Sequence, residues 1–290
     1  GVDGLNPDAQ RVDMLHASEA NDDTLDQISN KAQLRNLRKR LENFAGVPSV
    51  TLPDNLQAEL RPYQQDGFEF LCHLTKIKLG GILADDMGLG KTLQTLAWLL
   101  WLKQNAGRRS KPALVICPAS VLHNWRRESN RFTPDMKVLV LESGAARHNL
   151  RKQIPENDLI ITNYALLRRD LAALNKFEFG ALILDEAQFI KNPAAQVTQS
   201  VKQLKAKRRL ALTGTPLENR MLDLWSIADF VQPGYLGTQA DFTEKYEPRG
   251  EVAPWEQRTA RKQLSSKLRP ILTRRLKTQV AKDLPDRIEE

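Results

Sequence analysis

The sequence predicts an α/β domain built on a doubly wound, mainly parallel sheet with helices on both faces, together with an N-terminal helix and a helical C-terminal extension. Three observations carry that expectation. Short β-rich runs at Gly81–Ala84, Ala113–Cys117, Val138–Leu141, Leu159–Thr162, Ala181–Leu184 and Leu210–Thr213 are mostly continuously apolar, as strands covered on both faces of a parallel sheet must be. Helical segments lie between these runs, and strand–helix alternation is the mark of βαβ units. From about Met221 the strand pattern stops and helical periodicity runs on to Glu290.

Taken in chain order, the first twenty residues are polar and aperiodic, as a flexible lead-in would be. Leu25, Ile28, Leu34, Leu37, Leu41 and Phe44 then recur at three- and four-residue steps with one longer gap, which predicts an amphipathic helix. Asp22, Asp23 or Thr24 would cap its start and Gly46 its end. Lys31, Arg35, Arg38, Lys39 and Arg40 make this helix basic, which suits either a solvated helix packed on the main domain or a regulatory or DNA-binding one. The expected division is therefore 1–52 for the lead-in and helix, and 53–290 for one large domain whose residues 221–290 are mostly helical.

Composition narrows the class. The 290 residues carry a net charge of +8, split between −6 over residues 1–30 and +14 over the rest. A basic body suits a polyanionic partner, because each neutralised phosphate releases counterions. The longest apolar run, Leu96–Leu102, has seven residues, far short of the roughly 18 that a membrane span needs. No membrane partner is expected, and no basic lead into an apolar run marks a signal peptide. Cys72 and Cys117 have no metal-ligand spacing, so a reducing, intracellular setting is expected.

The densest signal is Gly81-Ile-Leu-Ala-Asp-Asp-Met-Gly-Leu-Gly-Lys-Thr92. An apolar strand enters a glycine-containing turn and leaves through a predicted helix over 93–103, the context of a phosphate-binding P-loop. Asp86, Met87, Gly88, Leu89 and Gly90 form the turn. Gly88 and Gly90 let backbone N–H groups approach a β-phosphate that a Cβ would obstruct. Lys91 would contact the β- and γ-phosphates, Thr92 would ligate Mg²⁺, and the helix N-terminus would face the anion. Asp85 stands where the strict pattern has its first glycine.

At a distance of 94 residues from Lys91, the strand Ala181–Leu184 ends in Asp185-Glu186-Ala187-Gln188. An acid at the carboxyl end of a buried strand can reach the metal, which makes Asp185 the second Mg²⁺ ligand and Glu186 the group that polarises an attacking water. A guanine-specific site is not expected. The nearest tetrapeptide, Asn175-Lys176-Phe177-Glu178, has glutamate for aspartate and follows a helical pattern.

In order, these residues resemble the first motor lobe of superfamily-two helicases, and within them the SWI/SNF-related ATPases. Leu60-Arg-Pro-Tyr-Gln64 with Gly67 resembles the Q motif, in which Gln64 would read the adenine edge. Asp85–Thr92 resembles motif I, Leu114–Ser120 with Asn124-Trp125 motif Ia, and Ile161–Tyr164 motif Ib. Asp185–Gln188 is a DEAQ variant of the family's DEAH box, and Gln188 keeps hydrogen-bonding capacity. Leu212–Pro216 with Glu218-Asn219 resembles motif III, implying that Thr213 and Thr215 relay the nucleotide state. Asp223-Leu-Trp225, Phe230, Pro233, Gly234 and Leu236, then Leu268–Lys277 and Leu284-Pro285, resemble stretches that distinguish the SWI/SNF branch.

The resemblance covers about residues 55–290 and implies a RecA-like fold using ATP and Mg²⁺ to translocate on double-stranded DNA and displace or remodel bound proteins of unknown identity. It implies nucleic-acid contacts, mostly to phosphates, from Pro118, Asn124, Thr162, Asn163, Arg274 and Arg275. Nine basic residues and no acid between Arg258 and Lys282 agree with that footprint, whereas Lys202, Lys205, Lys207, Arg208 and Arg209 look like ordinary surface. The family's second RecA-like lobe, with its catalytic arginines, would begin near Glu290, so this chain alone is expected to bind ATP but hydrolyse it poorly. Two other classes fit the same motifs: a nucleotide-gated binding module without sustained hydrolysis, and an RNA-directed helicase.

Overall fold

Each of the six apolar runs becomes a strand in the computed structural model, which describes residues 47–107, 110–144, 147–214, 221–247 and 253–280. The expected lead-in and helix before residue 47, Thr215, Glu218, Asn219 and the Leu284-Pro285 pair lie outside the described residues. The strands are β1 (Gly81–Leu83), β2 (Ala113–Cys117), β3 (Val138–Val140), β4 (Leu159–Asn163), β5 (Ala181–Leu184) and β6 (Arg209–Leu212). Boundaries move by a residue or so from the apolar runs. Every residue of β1, β2 and β5 is buried, which is why those segments show no alternation.

A seventh strand, β7 (Leu272–Thr273), corrects the expectation that strands end near Met221. Two residues carry no periodicity of their own. The strand forms because the edge of β1 offers donors: Ile82 N–H binds the Ile271 carbonyl at 2.7 Å and Ala84 N–H binds that of Thr273 at 2.8 Å. All pairings are parallel, in the order β3-β4-β2-β5-β6-β1-β7.

The connecting helices are α1 (Pro62–Ile77), α2 (Lys91–Ala106), α3 (Leu122–Phe132), α4 (Tyr164–Leu174) and α5 (Gln196–Gln203). Pro62 opens α1, where a missing N–H costs nothing. Left-handed Gly90 opens α2, so that helix begins two residues before its predicted start at Leu93. The C-terminal extension holds α6 (Met221–Val231), α7 (Gln239–Tyr246) and α8 (Pro254–Leu268), as the periodicity there predicts. Helices α1 and α2 pack on each other, α4 packs on α5, and α6 lies against β6 and β1. No helix among the described residues is long and apolar enough to cross a membrane.

Arg209 is not the surface residue expected. Its guanidinium donates to the carbonyls of Lys202, Leu204 and Phe230, joining the ends of α5 and α6 to β6. Gly80 marks the tightest part of the same junction. A Cβ there would lie 2.0 Å from the Val231 carbonyl oxygen and 2.9 Å from that of Arg209, both backbone atoms that cannot swing aside. Gly80→Ala is therefore expected to cost about 1–3 kcal/mol, the usual range for overpacking. Urea unfolding would read this as a lower midpoint at unchanged slope; an unchanged midpoint would show that α6 has room to shift.

Candidate nucleotide-binding site

Parallel strands present their carboxyl ends to one edge, and open α/β sheets hold ligands there. Residues 84–90 leave β1 at this edge, Asp185–Gln188 leave β5, and Thr213–Gly214 leave β6. Because β6 lies between β1 and β5, its end bridges the two predicted motifs. Thr213 N–H binds the Leu83 carbonyl at 3.1 Å, and a Cβ on Gly214 would meet Met87 Cγ at 2.6 Å.

The P-loop residues form the expected turn. Gly88 and Gly90 take φ of 83° and 76°, the left-handed region that glycine enters without strain. The Lys91 ammonium lies inside the curl, donating to the carbonyls of Asp85 at 2.6 Å and Asp86 at 3.1 Å. Burial pulls the Lys91 pKa down, against the surrounding carboxylates of Asp85, Glu186, Asp185 and Asp86. Thr92 follows on the first turn of α2, Leu89 is fully buried against Tyr63 and Val280, and Met87 is exposed.

Asp85 explains its own departure from the glycine pattern. The carboxylate has no exposed surface and is turned toward Arg275 and Gln94. Its Oδ1 accepts the Arg275 backbone N–H at 3.0 Å and the Arg275 Nε at 3.1 Å, while Oδ2 accepts Gln94 Nε2 at 3.4 Å. Gly67 leaves the space for this layer, since a Cβ there would sit 1.8 Å from Gln94 Oε1 and 2.7 Å from Arg275 Nη2. Asp86 is tied to the same segment, its N–H on the Arg275 carbonyl at 3.0 Å and its Oδ2 on the Lys277 N–H at 2.9 Å.

At the end of β5, both oxygens of Asp185 are held. Oδ1 accepts the Glu186 N–H at 2.9 Å and Oδ2 accepts the Trp125 indole N–H at 2.8 Å. Burial pushes the Asp185 carboxyl up, opposed by the Trp125 bond. The Tyr164 hydroxyl donates to the Asp185 carbonyl at 2.7 Å. Glu186 takes a left-handed φ of 50°, strain of roughly 1–3 kcal/mol that persists where surroundings over-determine a functional position. Gln188 joins the two sides: its Nε2 donates to Glu186 Oε2 at 2.7 Å, and its Oε1 accepts the Thr213 hydroxyl at 3.3 Å. Among the described residues no three His, Cys, Asp or Glu side chains gather to hold a metal. A cation beside Thr92 and Asp185 would take its other oxygens from phosphate and water, the habit of Mg²⁺.

Several expected contacts have other partners. Gln64, expected to read an adenine edge, donates to the Leu89 carbonyl at 3.3 Å and accepts the Arg61 N–H at 3.0 Å. Its amide closes the P-loop from behind. Thr162 is buried with its hydroxyl on the Leu141 carbonyl, and Asn163 caps α4 through the Leu166 N–H. Asn124 is bonded to Glu128 and Arg127. Arg275 is committed to Asp85. These side chains are engaged within the protein, because a motif locates a segment but not the partners of each side chain. Pro118 and Arg274 are half-buried at the same edge, and Ser120, His123, Arg126, Arg127, Arg168 and Arg169 are exposed on the adjoining turn and on α3 and α4. Sequence reasoning missed Gln94, the contacts of Trp125 and Tyr164 to Asp185, and the structural role of Arg275, because such long-range pairings leave no local pattern.

Residues 63–290 match the model of the SNF2-related domain family. Among relatives, the chain is 37% identical over 282 residues to the TATA-binding protein-associated factor MOT1 of Saccharomyces cerevisiae, covering 90% of this chain and 15% of that protein. It is 39% identical over 266 residues to the putative ATP-dependent helicase/translocase YwqA of Bacillus subtilis, covering 89% of this chain and 28% of that one. Among solved structures, the Sulfolobus solfataricus SWI2/SNF2 ATPase core in complex with double-stranded DNA superposes with a TM-score of 0.73 at 40% identity, over 82% of this chain and 49% of that chain. The chain thus spans about half or less of each.

Burial raises the Asp85 pKa, and the Arg275 guanidinium, the Gln94 amide and the Lys91 ammonium oppose the rise. The folded state then holds a proton at pH values where the unfolded chain has lost it, so the stability from this group declines as pH rises through the folded pKa. Arg275→Ala would leave an ionised carboxylate without its counter-charge. The expected loss is about 3–5 kcal/mol at neutral pH, shrinking on acidification as Asp85 takes up its proton. Urea unfolding of both proteins across that range checks it; a pH-independent difference would mean that Arg275 acts by packing alone.

Proposed function

The chain belongs to the SNF2-related domain family, and on that footing we propose that it is the ATP-binding lobe of a motor that hydrolyses ATP to move along double-stranded DNA and displace or remodel proteins bound there. The observation that carries the proposal is the convergence of Lys91, Asp185, Glu186 and Gln188 at the ends of adjoining strands, with Thr213 between them.

The 86–90 turn and the N-terminus of α2 would cradle the β- and γ-phosphates, with Lys91 exchanging its two carbonyl partners for phosphate oxygens. Thr92 and Asp185 would hold Mg²⁺, which supplies positive charge against the phosphate oxygens. Glu186 would orient the attacking water. The Glu186–Gln188–Thr213 hydrogen-bond chain supports a relay in which the glutamine of the DEAQ box does the work of a histidine, donating on one side and accepting on the other.

Duplex DNA would bind the same edge through phosphate contacts, in keeping with a basic body and with the exposed Arg126, Arg127, Arg168 and Arg169. The remaining half of the motor would contribute arginines worth roughly 10³–10⁵ in rate. The 290-residue chain alone would then bind Mg·ATP weakly and turn it over slowly, inside the cell.

Measuring Mg·ATP binding and hydrolysis by this chain, with and without duplex DNA and beside Lys91→Ala, tests the proposal. Expected are Lys91-dependent binding and little turnover. Nucleotide binding that ignores Lys91 would overturn the site, and brisk DNA-stimulated turnover by the isolated chain would overturn the need for a second lobe. In a longer chain containing that lobe, Glu186→Gln is expected to keep ATP binding and reduce kcat at least ~10²-fold. An unchanged kcat would remove Glu186 from its role.

A further inference from the structure

Two aspartates mark the ends of β1 and β5, and their partners differ in kind. Asp85 is paired with a guanidinium, so its charge is neutralised within the protein. Among the described residues, the Asp185 carboxylate is hydrogen-bonded to two neutral donors, the Glu186 N–H and the Trp125 indole. A neutral donor fixes a carboxylate in place while leaving its negative charge for something else. Trp125 is 1% exposed, and a buried indole N–H needs an acceptor. A backbone carbonyl would serve for packing alone. The acceptor is instead a carboxylate oxygen sixty positions away, on the residue assigned to hold Mg²⁺.

The main chain of Asp185 is held in the same manner. Its carbonyl accepts the hydroxyl of Tyr164, the first residue of α4, whose ring stacks on exposed Phe189 at 4.7 Å between centroids and 1° between planes. One aromatic donor from α3 and one from α4 therefore fix the side chain and the backbone of a single residue. Both helices carry exposed basic residues, Arg126 and Arg127 on α3 and Arg168 and Arg169 on α4. A shift of α3 cannot leave Oδ2 where it is.

From this geometry we infer that Trp125 is a positioning residue for the metal–nucleotide site: its indole N–H sets the Asp185 carboxylate and links α3 to the bound cation. The inference rests on the proposed nucleotide site. Removing a group that orients a metal ligand typically weakens metal affinity roughly 10–100-fold. Trp125→Phe keeps a ring in the pocket and removes the donor.

Binding of a non-hydrolysable ATP analogue is measured across a Mg²⁺ titration in both proteins. The expected result is an unchanged affinity without Mg²⁺ and a Mg²⁺ midpoint raised about tenfold in Trp125→Phe. An unchanged midpoint, or equal weakening with and without Mg²⁺, overturns the inference, because a packing role alone gives one or the other. If the unsubstituted chain shows no Mg²⁺-dependent binding, the nucleotide site itself fails. Should Trp125→Phe not fold, the unsubstituted chain carries the test through its ¹⁵N-labelled indoles, with the Trp125 signal assigned by Phe variants at the other four tryptophans. That signal is expected to shift when Mg²⁺ is added to the analogue-bound protein, and a signal that stays put overturns the inference.

Discussion

A carboxylate with no exposed surface lies under the phosphate loop, and an ion in that position must be paired where it stands. The partner of Asp85 comes from 190 positions further along the chain. For Arg275 to arrive, residues 271–277 must run beside β1, and doing so adds β7 to the sheet and brings the Lys277 N–H onto Asp86. Val280 then packs against Tyr63 and Leu89, closing the base of the loop with apolar surface. Gly67 and Gln94 fall into place around the same pair. The loop that curls around Lys91 is thus shaped from behind by a distant segment.

The opposite wall of the site is built by different means. Asp185 is fixed by neutral donors, and Glu186 is held in a strained left-handed conformation by the short turn that follows it. Strand β6 joins the two walls. Thr213 reaches the β1 side through its backbone and the Glu186 side through Gln188. Any motion that separates β1 from β5 must break or carry this bridge.

Much of the fold was legible because parallel strands buried on both faces cannot alternate. The runs at 113–117 and 181–184 became strands without a shifted boundary. β7 was invisible, since two residues paired to a distant edge carry no pattern. The P-loop and the acidic pair were also legible, because both depend on residues adjacent in sequence. The side-chain partners of the proposed nucleic-acid residues were not legible. Thr162 points into the core and Asn163 caps a helix, and neither fact follows from spacing alone. Arg209 looked like one of several surface cations until its three carbonyl acceptors were seen.

By itself the sequence determined the α/β class, the positions of β1 to β6, the glycine-containing turn at 86–90, the Asp185-Glu186 pair and the family resemblance. Each of these is written in short-range pattern: apolar runs, glycines where a Cβ would intrude, an acid at the end of a strand. Only the tertiary structure decided that Arg275 neutralises Asp85, that Trp125 holds Asp185 and that Gln188 joins Glu186 to Thr213. A buried polar group must find its partner in space, and the chain brings that partner from whichever segment the packing places next to it.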